Sequence, residues 1–137
     1  MEIIKMNSLN KVQLEAAAQI LTDELPLGWP TLADAFVEID ELLIPGNTIL
    51  AVVEDEEVLA WGGILRPEYA GHLIELHPLV VRGDKQRQGI GRKLVMALED
   101  EARKQGALTL FLGADDEVEG GETSLSNVDL YADLPTK

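Results

Sequence analysis

Residues 82–93, Arg-Gly-Asp-Lys-Gln-Arg-Gln-Gly-Ile-Gly-Arg-Lys, carry five of the chain's eleven basic side chains. They lie between a valine-rich apolar run and an amphipathic segment. A basic, glycine-containing loop that opens a helix offers free backbone N–H groups and a favourable helix dipole to an anion. The same glycines, Gly89 and Gly91, would equally serve a tight loop and close helix packing. Two nucleotide-binding patterns are excluded: position 94 is Leu94, so the dinucleotide fingerprint lacks its third glycine, and no Gly-Lys-Ser/Thr is present for a P-loop. What remains is Gln86-x-x-Gly89-x-Gly91 after a strand and before a helix, without side chains where a pyrophosphate would approach the amides.

The composition narrows the chemistry around this loop. At 137 residues and 46% hydrophobic content, the chain suits one domain with its own core. It has no cysteine, which removes thiolate nucleophiles, disulfides and cysteine-ligated zinc and fits a reducing, cytoplasmic setting. His72 and His77 are separated by an odd count on an extended segment and so face opposite ways, and no metal site is expected. No apolar run reaches a membrane span, and Met1-Glu2-Ile3-Ile4-Lys5 lacks a signal-peptide pattern, so no membrane partner is expected. A net charge of −14 argues against nucleic acid and would attract a cationic substrate, although it also serves solubility alone.

The positioning elements follow from periodicity. Residues 2–6 read as a short strand. A helix over about 11–25 has Asn10 as N-cap and Leu14, Ala17, Ala18 and Leu21 on one stripe. Pro26-Leu27-Gly28-Trp29-Pro30 breaks it. Thr31 with Asp34 then opens a second helix bearing Leu32, Phe36, Ile39, Leu42 and Leu43, which stops at Pro45-Gly46. Residues 48–54 and 58–65 read as a hairpin through Asp55-Glu56-Glu57, and 72–82 as a third extended segment. A helix over about 89–105 carries Ile90, Leu94, Ala97, Leu98 and Ala102, with Arg103, Lys104 and Gly106 at its end. A strand over 107–112 completes a strand–helix–strand unit, which predicts a parallel crossover. The polar stretch after Gly113 reads as a mobile loop, and residues 125–137 show no clear element.

Together, the loop and this order of elements resemble the GNAT superfamily of N-acetyltransferases, whose acetyl-CoA signature is Gln/Arg-x-x-Gly-x-Gly/Ala at a helix start. The resemblance runs from Ile3 to about Gly113 and is strongest from Leu73 to Leu112. Glu75-Leu76-His77-Pro78-Leu79-Val80-Val81 and Leu108-Thr109-Leu110-Phe111-Leu112-Gly113-Ala114-Asp115-Asp116-Glu117 are also similar to the aminoglycoside 6′-N-acetyltransferase-like branch. The resemblance implies an α/β fold with a mixed central sheet, a splayed strand pair and flanking helices. It further implies that Gln86, Arg87, Gln88, Gly89, Ile90 and Gly91 form the pyrophosphate loop, with Arg92 behind it. Leu79, Val80 and Val81 would be the strand backbone that binds pantetheine and polarises the acetyl carbonyl. Pro78 marks a break, because it cannot donate a ladder hydrogen bond; an ordinary edge-strand proline is the other reading.

Acetyl transfer to an amine needs a neutral nucleophile. An alkyl ammonium has a pKa of about 10.4, so exposing its lone pair at neutral pH costs about 4–5 kcal/mol. The resemblance puts Glu75 where family members hold such a base, against an ion-pair or substrate-binding role. His77 falls two residues later on the same face unless the break at Pro78 disturbs the alternation; a structural histidine is the alternative. Asp115 and Asp116 follow the last strand and would bind the acceptor's charge or form a solvated loop. Trp29 and Trp61 would line the acceptor cleft or fill the core.

The chain departs from the family by stopping before the helix and final strand pair that usually follow the fifth strand. Tyr131 is the one tyrosine after the glycine loop and matches no family tyrosine motif, so no general acid is assigned. A C-terminally shortened sheet would expose an edge and invite a homodimer. The sequence therefore predicts transfer from acetyl-CoA, as co-substrate, to a primary amine of a small cationic acceptor, with an aminoglycoside as first expectation. The alternatives are a non-catalytic acyl-CoA-binding or interaction module and an anion site that takes no CoA.

Overall fold

The computed structural model describes residues 1–65, 73–107, 109–112 and 127–129. Local chemistry sets the first two helices. Asn10 and Gln13 form a reciprocal capping box that opens α1, Lys11–Glu24, with bonds of 2.8 and 3.0 Å. Thr31 and Asp34 do the same for α2, Leu32–Leu42. Each such cap contributes about 0.5–2 kcal/mol by satisfying amides that precede the first helical turn's bonds. Both agree with the sequence expectation.

The strands are β1, Glu2–Lys5; β2, Thr48–Glu54; β3, Glu57–Ile64; β4, Leu73–Val81; β5, Thr109–Leu112; and β6, Asn127–Asp129. They lie in the order β1-β2-β3-β4-β5-β6, antiparallel except for the β4–β5 pair. That pair flanks α3, Ile90–Lys104, and is the parallel crossover predicted from the sequence. The β2–β3 turn uses only Asp55 and Glu56, both at positive φ, so Glu57 already belongs to β3. The three-residue strand β6 corrects the expectation of no element after residue 125. Three residues are too few to display an alternation, and pairing with β5 defines this strand instead.

Two apolar layers clamp the sheet. Leu50, Val52, Leu59, Ile64, Ile74 and Leu76 face α3, where Leu94, Leu98 and Ala102 are fully buried. Ile49, Ala51, Trp61 and Val80 face α1 and α2. Trp61 is fully buried, and its indole N–H donates to the Ala17 carbonyl at 2.8 Å, so it is a core anchor rather than part of a cleft. Among the described residues, no helix is long and apolar enough to cross a membrane.

Strand β4 changes parity midway. Ile64 pairs with Leu76 and Gly62 with Leu79, so two steps on β3 oppose three on β4. The extra residue lies at His77-Pro78 and makes a β-bulge. Gly62 and Gly63 allow it: a Cβ at Gly62 would lie 2.7 Å from the Pro78 carbonyl oxygen, and one at Gly63 would collide with the Ile49 side chain.

Candidate active site

β4 pairs with β5 from Leu73 to Leu76, opposite Thr109 to Leu112, and then runs on through Val81. On its other side, the Arg82 amide donates to the Leu59 carbonyl at 2.8 Å. Alternate residues of an antiparallel strand bond to alternate neighbours, so Val80 and Arg82 serve β3 while the N–H groups of Leu79 and Val81 point toward the β5 side. Among the described residues, the Leu79 and Val81 donors lie on a strand edge beyond the last β4–β5 pair, Leu76 with Leu112.

The edge leads directly into the glycine loop. A short 3₁₀ turn, Gly83–Lys85, is followed by Arg87 at φ 63° and Gly89 at φ 84°, with Gly89 as the N-cap of α3. The first bond of this helix is from the Lys93 amide to the Gly89 carbonyl, 3.1 Å, so the amides of Ile90, Gly91 and Arg92 precede the helical ladder. A Cβ built on Gly89 meets nothing within 4 Å. Open space beside three outward amides fits a pyrophosphate.

Side chains in the loop divide between support and charge. The Gln86 side chain turns into the protein: its amide donates to Glu24 at 2.7 Å and to the Val81 carbonyl at 3.0 Å, tying the loop to α1 and β4. The Gln88 side chain reaches the Asp84 carbonyl at 3.4 Å. Arg82 is bound by Asp84 at 2.6 Å; this bond lowers the Asp84 carboxyl pKa and raises that of the guanidinium. Arg87, Arg92 and Lys93 are exposed and have no ion-pair partner among the described residues, leaving them available to an anionic ligand.

On the α1 and α2 face, the bulge brings together residues distant in sequence. Ile74 and Leu76 face α3, so Glu75 and His77 face the opposite way, and Glu75 is half-buried. After the extra residue, Leu79 and Val81 return to the α3 side. His77 is 8% exposed, with its ring centroid 5.7 Å from that of Trp29. Its Nε2 lies 3.5 Å from a carboxylate oxygen of Glu38 on α2, whose other oxygen accepts from the Trp29 indole at 3.2 Å. The bond to His77 holds the Glu38 carboxyl below its ordinary pKa against the opposing effect of burial.

Sequence reasoning named Trp29 and His77 separately and missed Glu38. The available signal was a carboxylate at the margin of the buried stripe of α2, Ala35, Ile39 and Leu42, on the side of Leu42. His72, Asp115 and Asp116 lie outside the described residues. Among those described, no three His, Cys, Asp or Glu side chains gather to hold a metal ion. A cleft of about 250 Å³ lined by Lys5, Asn7, Ile44 and Thr48 lies at the opposite end of the sheet from the loop and includes none of these site residues.

The sequence pattern of the acetyltransferase (GNAT) family matches residues 14–120. The chain belongs to the GNAT family. Its GNAT fold is similar to that of an aminoglycoside 6′-N-acetyltransferase solved with coenzyme A, at TM-score 0.71 and 31% identity over 82% of this chain and 61% of that one. An aminoglycoside 6′-N-acetyltransferase from Enterococcus faecium gives TM-score 0.68 and 31% identity, with the same coverage of both chains. The Escherichia coli ribosomal-protein-S18-alanine N-acetyltransferase shares the fold at TM-score 0.64 and 23% identity, over 81% of this chain and 64% of that one. This GNAT chain thus spans about three-fifths of the first of these relatives. No curated protein matches it.

Proposed function

We propose that the chain is an acetyl-CoA-dependent N-acetyltransferase acting on a primary amine of a small cationic acceptor, with an aminoglycoside-like amine first among candidates. The observation that carries this reading is the edge formed by Leu79 and Val81, beyond the described β4–β5 pairing, leading into the glycine loop with the amides of Ile90, Gly91 and Arg92 ahead of the helical bonds. Its length and polarity suit pantetheine followed by pyrophosphate. The CoA complex of a 31% identical relative supports the same ligand, and its name supports the acceptor class, as does the charge of −14.

Acetyl-CoA supplies the activated acetyl thioester. The loop amides and exposed cations bind and orient the phosphates, and the Leu79 N–H polarises the carbonyl where charge develops during transfer. Glu75 takes the proton of the incoming ammonium directly or through a water, and His77 borders the same reaction space. Calorimetry with acetyl-CoA, followed by release of free CoA on adding kanamycin or spermidine, tests this reading. Binding with amine-dependent release is expected. Binding without release on either amine would favour a non-catalytic acyl-CoA-binding module, and absence of binding would remove the reading.

A further inference from the structure

We propose that Glu38 is a positioning residue for His77, fixing the tautomer and orientation of its imidazole at the β4 bulge. The inference rests on the reading that His77 borders the reaction space.

The geometry has three parts. Glu38 projects from α2 with one oxygen 3.5 Å from His77 Nε2, and it comes from a helix 39 residues earlier in the chain. Its second oxygen is held by the Trp29 indole N–H at 3.2 Å, which prevents the carboxylate from turning away. The Trp29 ring lies across the imidazole, tilted by 48°, and restrains the ring plane. The side chains of His77 and Glu38 are only 10% and 19% exposed, so solvent screens the pair weakly.

An ionised carboxylate only accepts hydrogen bonds, so the imidazole nitrogen nearest to it retains the proton. At 3.5 Å the contact is a long hydrogen bond to a charged acceptor. It still favours Nε2–H over Nδ1–H and makes Nδ1 the basic nitrogen of the neutral ring. Glu75, on the same strand face, is the other carboxylate contributed to this region by β4. Glu38 acts from the opposite element and through another side chain, which makes it a positioning group rather than a reacting one. The bulge gives this restraint its use: His77 is at the point where β4 turns from paired strand to donor edge.

The chain has two histidines, so His72→Gln leaves His77 alone in the imidazole nitrogen NMR spectrum. In that background the full chain should show the Nε2–H tautomer at neutral pH, and Glu38→Gln should shift it toward Nδ1–H. With acetyl-CoA and kanamycin, Glu38→Gln should lower kcat at least about tenfold with the acetyl-CoA KM within twofold. His77→Asn should lower kcat comparably, and the double variant should lose no more than either alone. An unchanged tautomer in Glu38→Gln, or a double variant whose losses multiply, overturns the positioning role. Full activity in His77→Asn, or none in the unsubstituted chain, removes the parent reading and this inference with it. Should Glu38→Gln fail to fold, Trp29→Phe keeps the ring and removes only the donor to Glu38. It should move the tautomer the same way by less, and an unmoved spectrum there refutes the proposal.

Discussion

Gly89 and Gly106 bracket α3 and provide a matched pair of tests. Their φ values are 84° and 85°, and a Cβ on either meets nothing within 4 Å. Alanine at either position incurs the left-handed penalty of about 1–2 kcal/mol. Part of this is offset by about 0.4–1 kcal/mol from the reduced freedom of the unfolded chain. Both variants should therefore lose about 1 kcal/mol of stability, a fall in Tm of about 2–8 °C for a domain of this size. Their ligand binding should separate completely. The Cβ of Gly89→Ala enters the open space beside the Ile90, Gly91 and Arg92 amides, so calorimetric affinity for acetyl-CoA should fall at least tenfold, about 1.4 kcal/mol. Gly106→Ala, beyond the far end of the helix, should bind within twofold of the unsubstituted chain. An affinity in Gly89→Ala within twofold of the unsubstituted chain would refute the assignment of the loop. Equal loss in both would mean that general destabilisation, and not local occlusion, governs binding.

Glu75→Gln should lower kcat by about 10²–10⁴-fold with acetyl-CoA binding unchanged, measured by steady-state kinetics and calorimetry; kcat within twofold would remove Glu75 as the base. Gly62→Ala drives a Cβ against the Pro78 carbonyl oxygen and should cost about 1–3 kcal/mol in denaturant unfolding. Gly63→Ala should cost less, because much of its obstruction is the movable end of Ile49; the reverse order would contradict the bulge geometry. The Glu38 carboxyl has a folded pKa depressed below 4.5, chiefly by His77, so its stabilisation is present above that pH and lost as pH falls through the folded value. The Tm advantage over Glu38→Gln should accordingly shrink as pH falls from about 5 through the folded value. A constant difference across that range would contradict this linkage.

The parts of the fold legible in sequence were those encoded locally. Asn10 with Gln13 and Thr31 with Asp34 announce helix starts within four residues, and the stripe of Leu94, Leu98 and Ala102 announces a buried helix face. The loop was legible because its glycines, basic residues and following helix are contiguous. Pro78 marked a break, but its consequence depended on the partner strand, where Gly62-Gly63 admits the extra residue. Glycines within a strand signal such close backbone approach, and that signal was available. Glu38 was hidden for another reason: its relation to His77 is created by packing α2 on the sheet, and no local period encodes a contact across 39 residues. The inward turn of the Gln86 side chain toward Glu24 is likewise a tertiary fact, 62 residues apart in the chain.

The one-residue offset in β4 also bears on how such a site can change over time. Upstream of His77-Pro78, even-numbered side chains belong to the α3 core, whereas downstream the odd-numbered ones do. Substitutions at Glu75 or His77, on the opposite face, leave Leu79 and Val81 in their core positions and the intervening backbone with its donors. Deleting one residue at the offset would restore an uninterrupted alternation with Ile74, Leu76, Leu79 and Val81 all still on the α3 face, but would remove the bulge at His77-Pro78. A one-residue insertion or deletion elsewhere in β4 would instead exchange the core and site faces of everything beyond it, so packing holds the length of the strand on either side of the bulge.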